Sequence, residues 1–156
     1  MPTEIERKFL VKGDFMPFVV KQYTITQGFL SIVPERTIRV RIKDNQGFLT
    51  VKGLSNVEGT ERFEWEQEIN VNDAEHLLEI CEPYPIFKTR FIVLANDDLK
   101  FEIDVFYKEN NGLIVAEIEL EDSDQPFEKP DWLGKEITGD IKYYNSNLAK
   151  KPFKFW

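Results

Sequence analysis

The chain has 156 residues, 42% of them hydrophobic and 13% aromatic, enough to bury a core within one domain spanning 1–156. A formal net charge of −8 excludes a general nucleic-acid or anionic-membrane binder, because such proteins present a net positive surface to phosphate. One cysteine and one histidine exclude an intramolecular disulfide framework, a histidine-based metal site and a histidine relay.

In chain order, the first patterned segment is EIERK at 4–8. Its alternation puts Glu4, Glu6 and Lys8 on one side of an extended chain and Ile5, Arg7 and Phe9 on the other. The same period of two runs through 37–43, 48–53, 62–70, 87–94, 99–107 and 113–121, which predicts strands there. DNQG at 44–47, NDD at 96–98 and NNG at 110–112 supply hairpin-type turns, so successive strands pair antiparallel. Helices are predicted over 72–82, with Leu77, Leu78 and Cys81 on one apolar face, and over 145–151. His76 falls at an exposed helical position, and Cys81 reads as an inert core thiol. There is no apolar leader and no run of transmembrane length, which predicts a soluble cytoplasmic protein that binds neither membrane nor nucleic acid. These elements describe a mostly-β (α+β) fold with a few packed helices.

The two faces of the strands differ in kind. Ile38, Val40, Ile42, Leu49, Val51, Phe63, Trp65, Ile69, Phe101, Ile103, Val105, Ala116, Ile118 and Leu120 form an ordinary core face. The opposite face carries Arg39, Arg41, Lys52, Glu64, Glu66, Lys88, Arg90, Glu102, Asp104, Glu117 and Glu119. A solvated face mixes signs, because like charges on neighbouring positions repel. Here they come in same-sign pairs, an arrangement suited to a polyanion held beside divalent cations. If the sheet closes into a barrel, this face becomes the lumen and the apolar face points outward under helices and loops.

EIERK resembles the ExExK signature of the CYTH superfamily, the triphosphate tunnel metalloenzymes. The resemblance extends through QGFL (27–30), IRVR (38–41), LTVKG (49–53), EWE (64–66), KTR (88–90), FEIDVF (101–106), AEIELE (116–121) and WLGKEITGDIKYYN (132–145), and is nearest to short bacterial members. It implies an eight-stranded antiparallel tunnel, a Mg²⁺ or Mn²⁺ cofactor and a small-molecule triphosphate as substrate. Lys8, Arg39, Arg41, Lys52, Lys88 and Arg90 match the family's triphosphate-holding positions, with Lys142 as a further basic residue near the tunnel mouth and Lys8 also counted with the catalytic groups. Glu4, Glu6, Glu117 and Glu119, with Asp104, match metal-associated acids, while Glu64, Glu66 and Glu102 are further lumen acids. Many short members read QGY where this chain reads QGF, so Phe29 offers no phenol. The proton acceptor is then a lumen carboxylate such as Glu6 or Glu66, or a metal-bound hydroxide.

The short length and the match to compact bacterial members favour inorganic tripolyphosphate, cleaved to pyrophosphate and phosphate. A cyclase, a nucleoside or thiamine triphosphatase, or a non-catalytic polyphosphate or nucleotide sensor would use the same tunnel. Trp65 and Trp132 read as packing anchors, since no interleaved basic residues surround them. The terminal KKPFKFW packs back on the barrel or onto a second copy of the chain in a homodimer.

Overall fold

A computed structural model describes residues 3–96 and 98–156. The strands are β1 (Thr3–Val11), β2 (Val19–Ser31), β3 (Arg36–Lys43), β4 (Gln46–Gly53), β5 (Glu61–Ile69), β6 (Ile86–Leu94), β7 (Lys100–Phe106), β8 (Ile114–Glu119) and β9 (Leu133–Glu136). The helices are α1 (Val71–Glu79) and α2 (Asn145–Leu148). All strand pairs are antiparallel, in the order β5-β4-β3-β2-β6-β7-β8-β1, and β1 closes the ring on β5 through Thr3↔Phe63 and Ile5↔Glu61. The ninth strand takes the edge of β1 that β5 leaves, pairing Phe9 with Glu136 and Val11 with Leu133. The result is a closed eight-stranded barrel with one added strand, mostly β.

Each expected strand is present within a few residues of its predicted bounds, and β2 and β9 are additional. The helices are shorter than expected. Asn70 caps α1, its side chain accepting from the Asn72 amide at 2.8 Å, and the helix stops before Ile80. In the DNQG hairpin Asp44 takes the positive φ of 53°. The 96–98 turn includes Asp97, which, like Met1 and Pro2, lies outside the described residues.

The main apolar core lies on the outer face of the barrel. Phe9, Phe91, Phe101, Ile103, Ala116 and Ile118 pack against Phe15, Trp132 and Leu133 from the flanking segments. Trp132, 4% exposed, is an anchor there. Helix α1 lies across β2, β3 and β4. Gly28 permits that contact, because a Cβ there would stand 2.9 Å from the Cβ of Cys81. The helix packs chiefly on those three strands, and Phe63 and Trp65 on β5 remain 37% and 43% exposed, so Trp65 is not a buried anchor. Cys81 is half-buried rather than core, although burial, then Glu82, pushes its thiol up to about 11.

A second core closes one end of the barrel. Strand parity turns Phe29, Ile86, Phe106 and Val115 inward, and they meet Ile137 and the fully buried Leu148 and Ala149. The lumen is apolar at this end, and α2 plugs it. Asn110 anchors the C-terminal residues beyond α2, its side chain accepting from the Phe153 amide at 2.8 Å, while Trp156 packs edge-on against Tyr143 and Phe153.

Candidate active site

Above the apolar plug the lumen is ionic. It encloses a cavity of about 260 Å³ lined by residues from all eight barrel strands and by Tyr144, Asn145 and Ser146. The barrel order sorts the charges into two arcs. Neighbouring strands β4, β3 and β6 contribute Lys52, Arg39, Arg41, Lys88 and Arg90, with only β2 between the last two strands. The remaining strands, β7, β8, β1 and β5, are also contiguous and contribute Glu102, Glu117, Glu119, Glu4, Glu6, Glu64 and Glu66. Like Arg62, Lys8 is a cation set into the acidic arc. Its ammonium stands 3.6 Å from Glu6 and 3.8 Å from Glu117, with the Tyr144 ring centroid 4.7 Å away. Burial opposes its charge, but those carboxylates and Glu4 overcome it and hold the ammonium above its ordinary value.

The basic arc contains more positive charge than its neighbours neutralise. Arg90 is satisfied, with Nε 2.8 Å and Nη2 3.0 Å from the two oxygens of Asp104 and Nη1 3.4 Å from Glu102. Among the described residues Arg41, 8% exposed, forms no ion pair with a carboxylate, and its Nε donates to Gln27 at 2.9 Å. Burial first, then Arg39 and Arg90, press its pKa well below the ordinary value. Arginine nevertheless keeps its proton in proteins. The cost of that crowding therefore appears as affinity for an anion. Arg39 reaches Thr50 at 3.1 Å and Glu66 at 3.5 Å, but its buried Nε has no hydrogen-bond partner.

Lys52 bridges to Glu4 at 2.9 Å and stands 3.9 Å from Glu64. Burial pushes Glu4 upward, yet Lys52 more than offsets this and leaves it low. Glu64 is raised to about 7 by burial and by Glu4, against the pull of Lys52. The acidic arc is strained in the same sense as the basic one. Glu6 lies directly across from Glu119, and Glu102 directly across from Glu117. Glu117 is raised by burial and then by Glu6; Glu119 is raised by burial and then by Glu4, Glu102 and Glu6. Among the described residues no group of three or more carboxylate, histidine or cysteine side chains is arranged to hold a metal ion. A hard divalent cation between the opposed carboxylates would relieve their repulsion, and their oxygens are the donor type such an ion takes.

Two expected site residues stand elsewhere. Asp104 is 2% exposed, 2.7 Å from Lys88 as well as against Arg90, and is held far below the usual carboxylate range once those cations overcome its burial. Its oxygens are consumed as a counter-charge, and it does not line the cavity. Lys142 is exposed outside the cavity, with its ammonium over the Tyr143 and Trp156 rings. Conversely, Lys43, Arg62, Thr37, Thr50, Tyr144 and Asn145 line the cavity although the sequence reading singles out none of them as a site residue, Thr50, Tyr144 and Asn145 lying within matched segments without an assigned role. Strict parity finds the first two: Arg62 shares the face of Glu64 and Glu66, and Lys43 that of Arg39 and Arg41. Phe29 lines the cavity as a buried ring.

A family model described as the CYTH domain matches residues 2–151. The chain is 44% identical over 155 residues to an inorganic triphosphatase of Acetivibrio thermocellus, covering 99% of this chain and 97% of that protein. It is 36% identical over 151 residues to an inorganic triphosphatase of Nitrosomonas europaea, covering 94% and 97%. The crystal structure of the inorganic triphosphatase NE1496 superposes with a TM-score of 0.64 at 34% identity, again covering 94% and 97%. With the two-arc lumen and these matches together, the chain belongs to the CYTH family.

Proposed function

We propose that the lumen hydrolyses inorganic tripolyphosphate to pyrophosphate and phosphate. The observation that carries this reading is the incomplete neutralisation of the basic arc: Arg41 without a carboxylate and Arg39 with an orphaned Nε, facing a cavity walled on its other side by acids. A compact polyanion supplies the missing acceptors, and the full-length relatives are named for action on this class of substrate.

In the reaction a water oxygen bonds to a terminal phosphorus as the P–O bond to the bridging oxygen breaks, and pyrophosphate leaves. Arg39 and Arg41 hold non-bridging oxygens through forked donors, while Lys8, Lys52 and Lys88 act as point charges. Arg90, tied to Asp104, adds charge without moving. These fixed cations stabilise negative charge as it shifts to the leaving group. The water's proton passes to Glu6, beside Lys8, or to Glu66, which accepts from Thr50 at 2.7 Å. Glu4, Glu6, Glu117 and Glu119 would hold Mg²⁺ or Mn²⁺, whose contribution when bound is to neutralise phosphate oxygens.

The test is a product panel with tripolyphosphate, ATP, thiamine triphosphate and pyrophosphate, each with and without Mg²⁺ or Mn²⁺. Metal-dependent formation of phosphate and pyrophosphate from tripolyphosphate is expected. Cyclic AMP as the main product from ATP, or no turnover of any triphosphate, rejects the reading.

A further inference from the structure

At the cavity wall a hydrogen-bond chain, buried at Gln27, connects two cations that otherwise belong to separate strands. Arg41 Nε donates to Gln27 Oε1 at 2.9 Å, Gln27 Nε2 donates to Asn145 Oδ1 at 2.7 Å, and Lys88 Nζ donates to the same Oδ1 at 2.9 Å. Its polarity is forced. Arginine and lysine have no acceptor, so Gln27 must turn its oxygen to Arg41 and Asn145 its oxygen to Lys88. Gln27 is fully buried and Lys88 is 2% exposed, while Asn145 is half-buried at the cavity wall.

An ammonium has three donors. At Lys88 one goes to Asp104 at 2.7 Å and one to Asn145, and Lys88 lines the cavity. The third is left for an anion. Asn145 begins α2, whose Leu148 and Ala149 form the plug, so its side chain is placed by the packing of the C-terminal segment rather than by the barrel.

We propose that Asn145 is a positioning residue that aims Lys88, and through Gln27 Arg41, at the substrate, making correct docking of the C-terminal segment a condition of activity. The inference rests on the lumen being the triphosphate hydrolase site. An acceptor removed from Lys88 lets the ammonium turn toward Asp104, and a misdirected donor of this kind costs about 10- to 100-fold in rate.

The experiment is a double-mutant cycle of Asn145→Ala and Lys88→Met, read in kcat and KM for tripolyphosphate and in the thermal shift that tripolyphosphate produces. Asn145→Ala is expected to lower kcat by about 10-fold or more in the wild-type background and by less than about 3-fold in Lys88→Met, where only the longer route through Gln27 to Arg41 remains to be aimed. Asn145→Asp, which keeps an acceptor for both donors, should recover most of kcat while its added negative charge raises KM. It also serves where Asn145→Ala fails to fold. Additive effects in the cycle, or an Asp variant as slow in kcat as the Ala variant, overturn the proposal. If the wild type turns over no triphosphate, the hydrolase reading fails separately, and the same cycle read in thermal shift still decides whether Asn145 acts through Lys88. No turnover and no shift together overturn both.

Discussion

Arg41 and Arg90 have similar burial, at 8% exposed each, and opposite electrostatic standing. Arg90 is held by Asp104 and Glu102, which overcome its burial and raise it well above the ordinary value. Arg41 hydrogen-bonds an amide and faces Arg39 and Arg90, whose repulsion, with burial, outweighs the more distant pull of Asp104 and Glu102. Removing one partner of a buried ion pair strands the other, whereas removing an unpaired buried charge relieves repulsion. Arg90→Met is thus expected to lower folding stability by roughly 3–5 kcal/mol. Arg41→Met should leave stability unchanged or raise it by about 1 kcal/mol, while weakening tripolyphosphate binding by about 1.5–3 kcal/mol, roughly 10- to 150-fold. Urea melts with and without ligand measure both, and a loss of stability in Arg41→Met equal to that in Arg90→Met would show that Arg41 is a structural ion rather than a substrate ligand. A second residue-scale expectation concerns pH. Burial and Glu4 raise Glu64 from 4.5 to about 7, so between these values the folded state binds more proton than the unfolded one. Its contribution is full below about 4.5 and is lost as pH rises through about 7. In ligand-free protein with chelator, melting temperature should fall across that window, and Glu64→Gln should flatten the fall. An unchanged slope in that variant would exclude Glu64 as its source. At this scale the charged lumen was readable because each ionisable side chain occupies a strand position of known parity. The roles of Gln27 and Asn145 were not readable, although both lie in segments that carry the family resemblance. One is a neutral residue on a strand without charge alternation, and the other sits on a four-residue helix whose placement depends on tertiary packing.

At the scale of elements, β2 shows why a long strand can escape a period-two reading. Register places Ile25, Gln27 and Phe29 on the lumen side opposite Lys88, Arg41 and Arg39, while Thr24, Thr26 and Gly28 face outward. Apolar residues point in and small polar ones point out beneath α1, which reverses and blurs the contrast seen on the other strands. β9 has four residues and no pattern, and exists because β1 extends past its pairing with β5. The link that seats the C-terminal segment is similarly local. Gly59 and Gly139 have φ of 77° and 80° and lie back to back, so that a Cβ on Gly139 would stand 2.7 Å from the Glu58 carbonyl oxygen. Gly139→Ala adds both a left-handed residue and a backbone collision, and should cost more than about 1 kcal/mol. Because this contact ties the β4–β5 loop to the segment leading into Tyr144 and Asn145, kcat for tripolyphosphate should fall as well. Thermal melts and steady-state rates on the same sample check this; a destabilised variant with wild-type kcat would separate the loop contact from the site.

For the whole molecule, the arrangement is a barrel whose apolar core lies outside and whose charges lie inside, in a chain of net charge −8 that presents a local basic arc to anions. The unliganded lumen keeps Arg39, Arg41 and Arg90 near one another on one side and opposes Glu6 to Glu119 on the other. The unfolded chain has no such crowding, so an anion and a divalent cation that bridge the arcs must bind the folded state preferentially. By mass action, a ligand at about 100 times its dissociation constant adds roughly 2.7 kcal/mol of stability. For a chain of this length, that corresponds to a rise in melting temperature of about 5–10 °C. Tripolyphosphate with Ca²⁺ is the suitable probe, since Ca²⁺ takes oxygen ligands in a looser geometry than Mg²⁺ and should limit turnover during the scan. Sulfate at matched ionic strength controls for screening, which relieves repulsion on either arc but cannot span several strands. Arg39→Ala should reduce the tripolyphosphate shift and leave the sulfate shift in place. Equal shifts from the two anions, in wild type and Arg39→Ala alike, would mean that the two arcs do not converge on one ligand and that the lumen charges act independently.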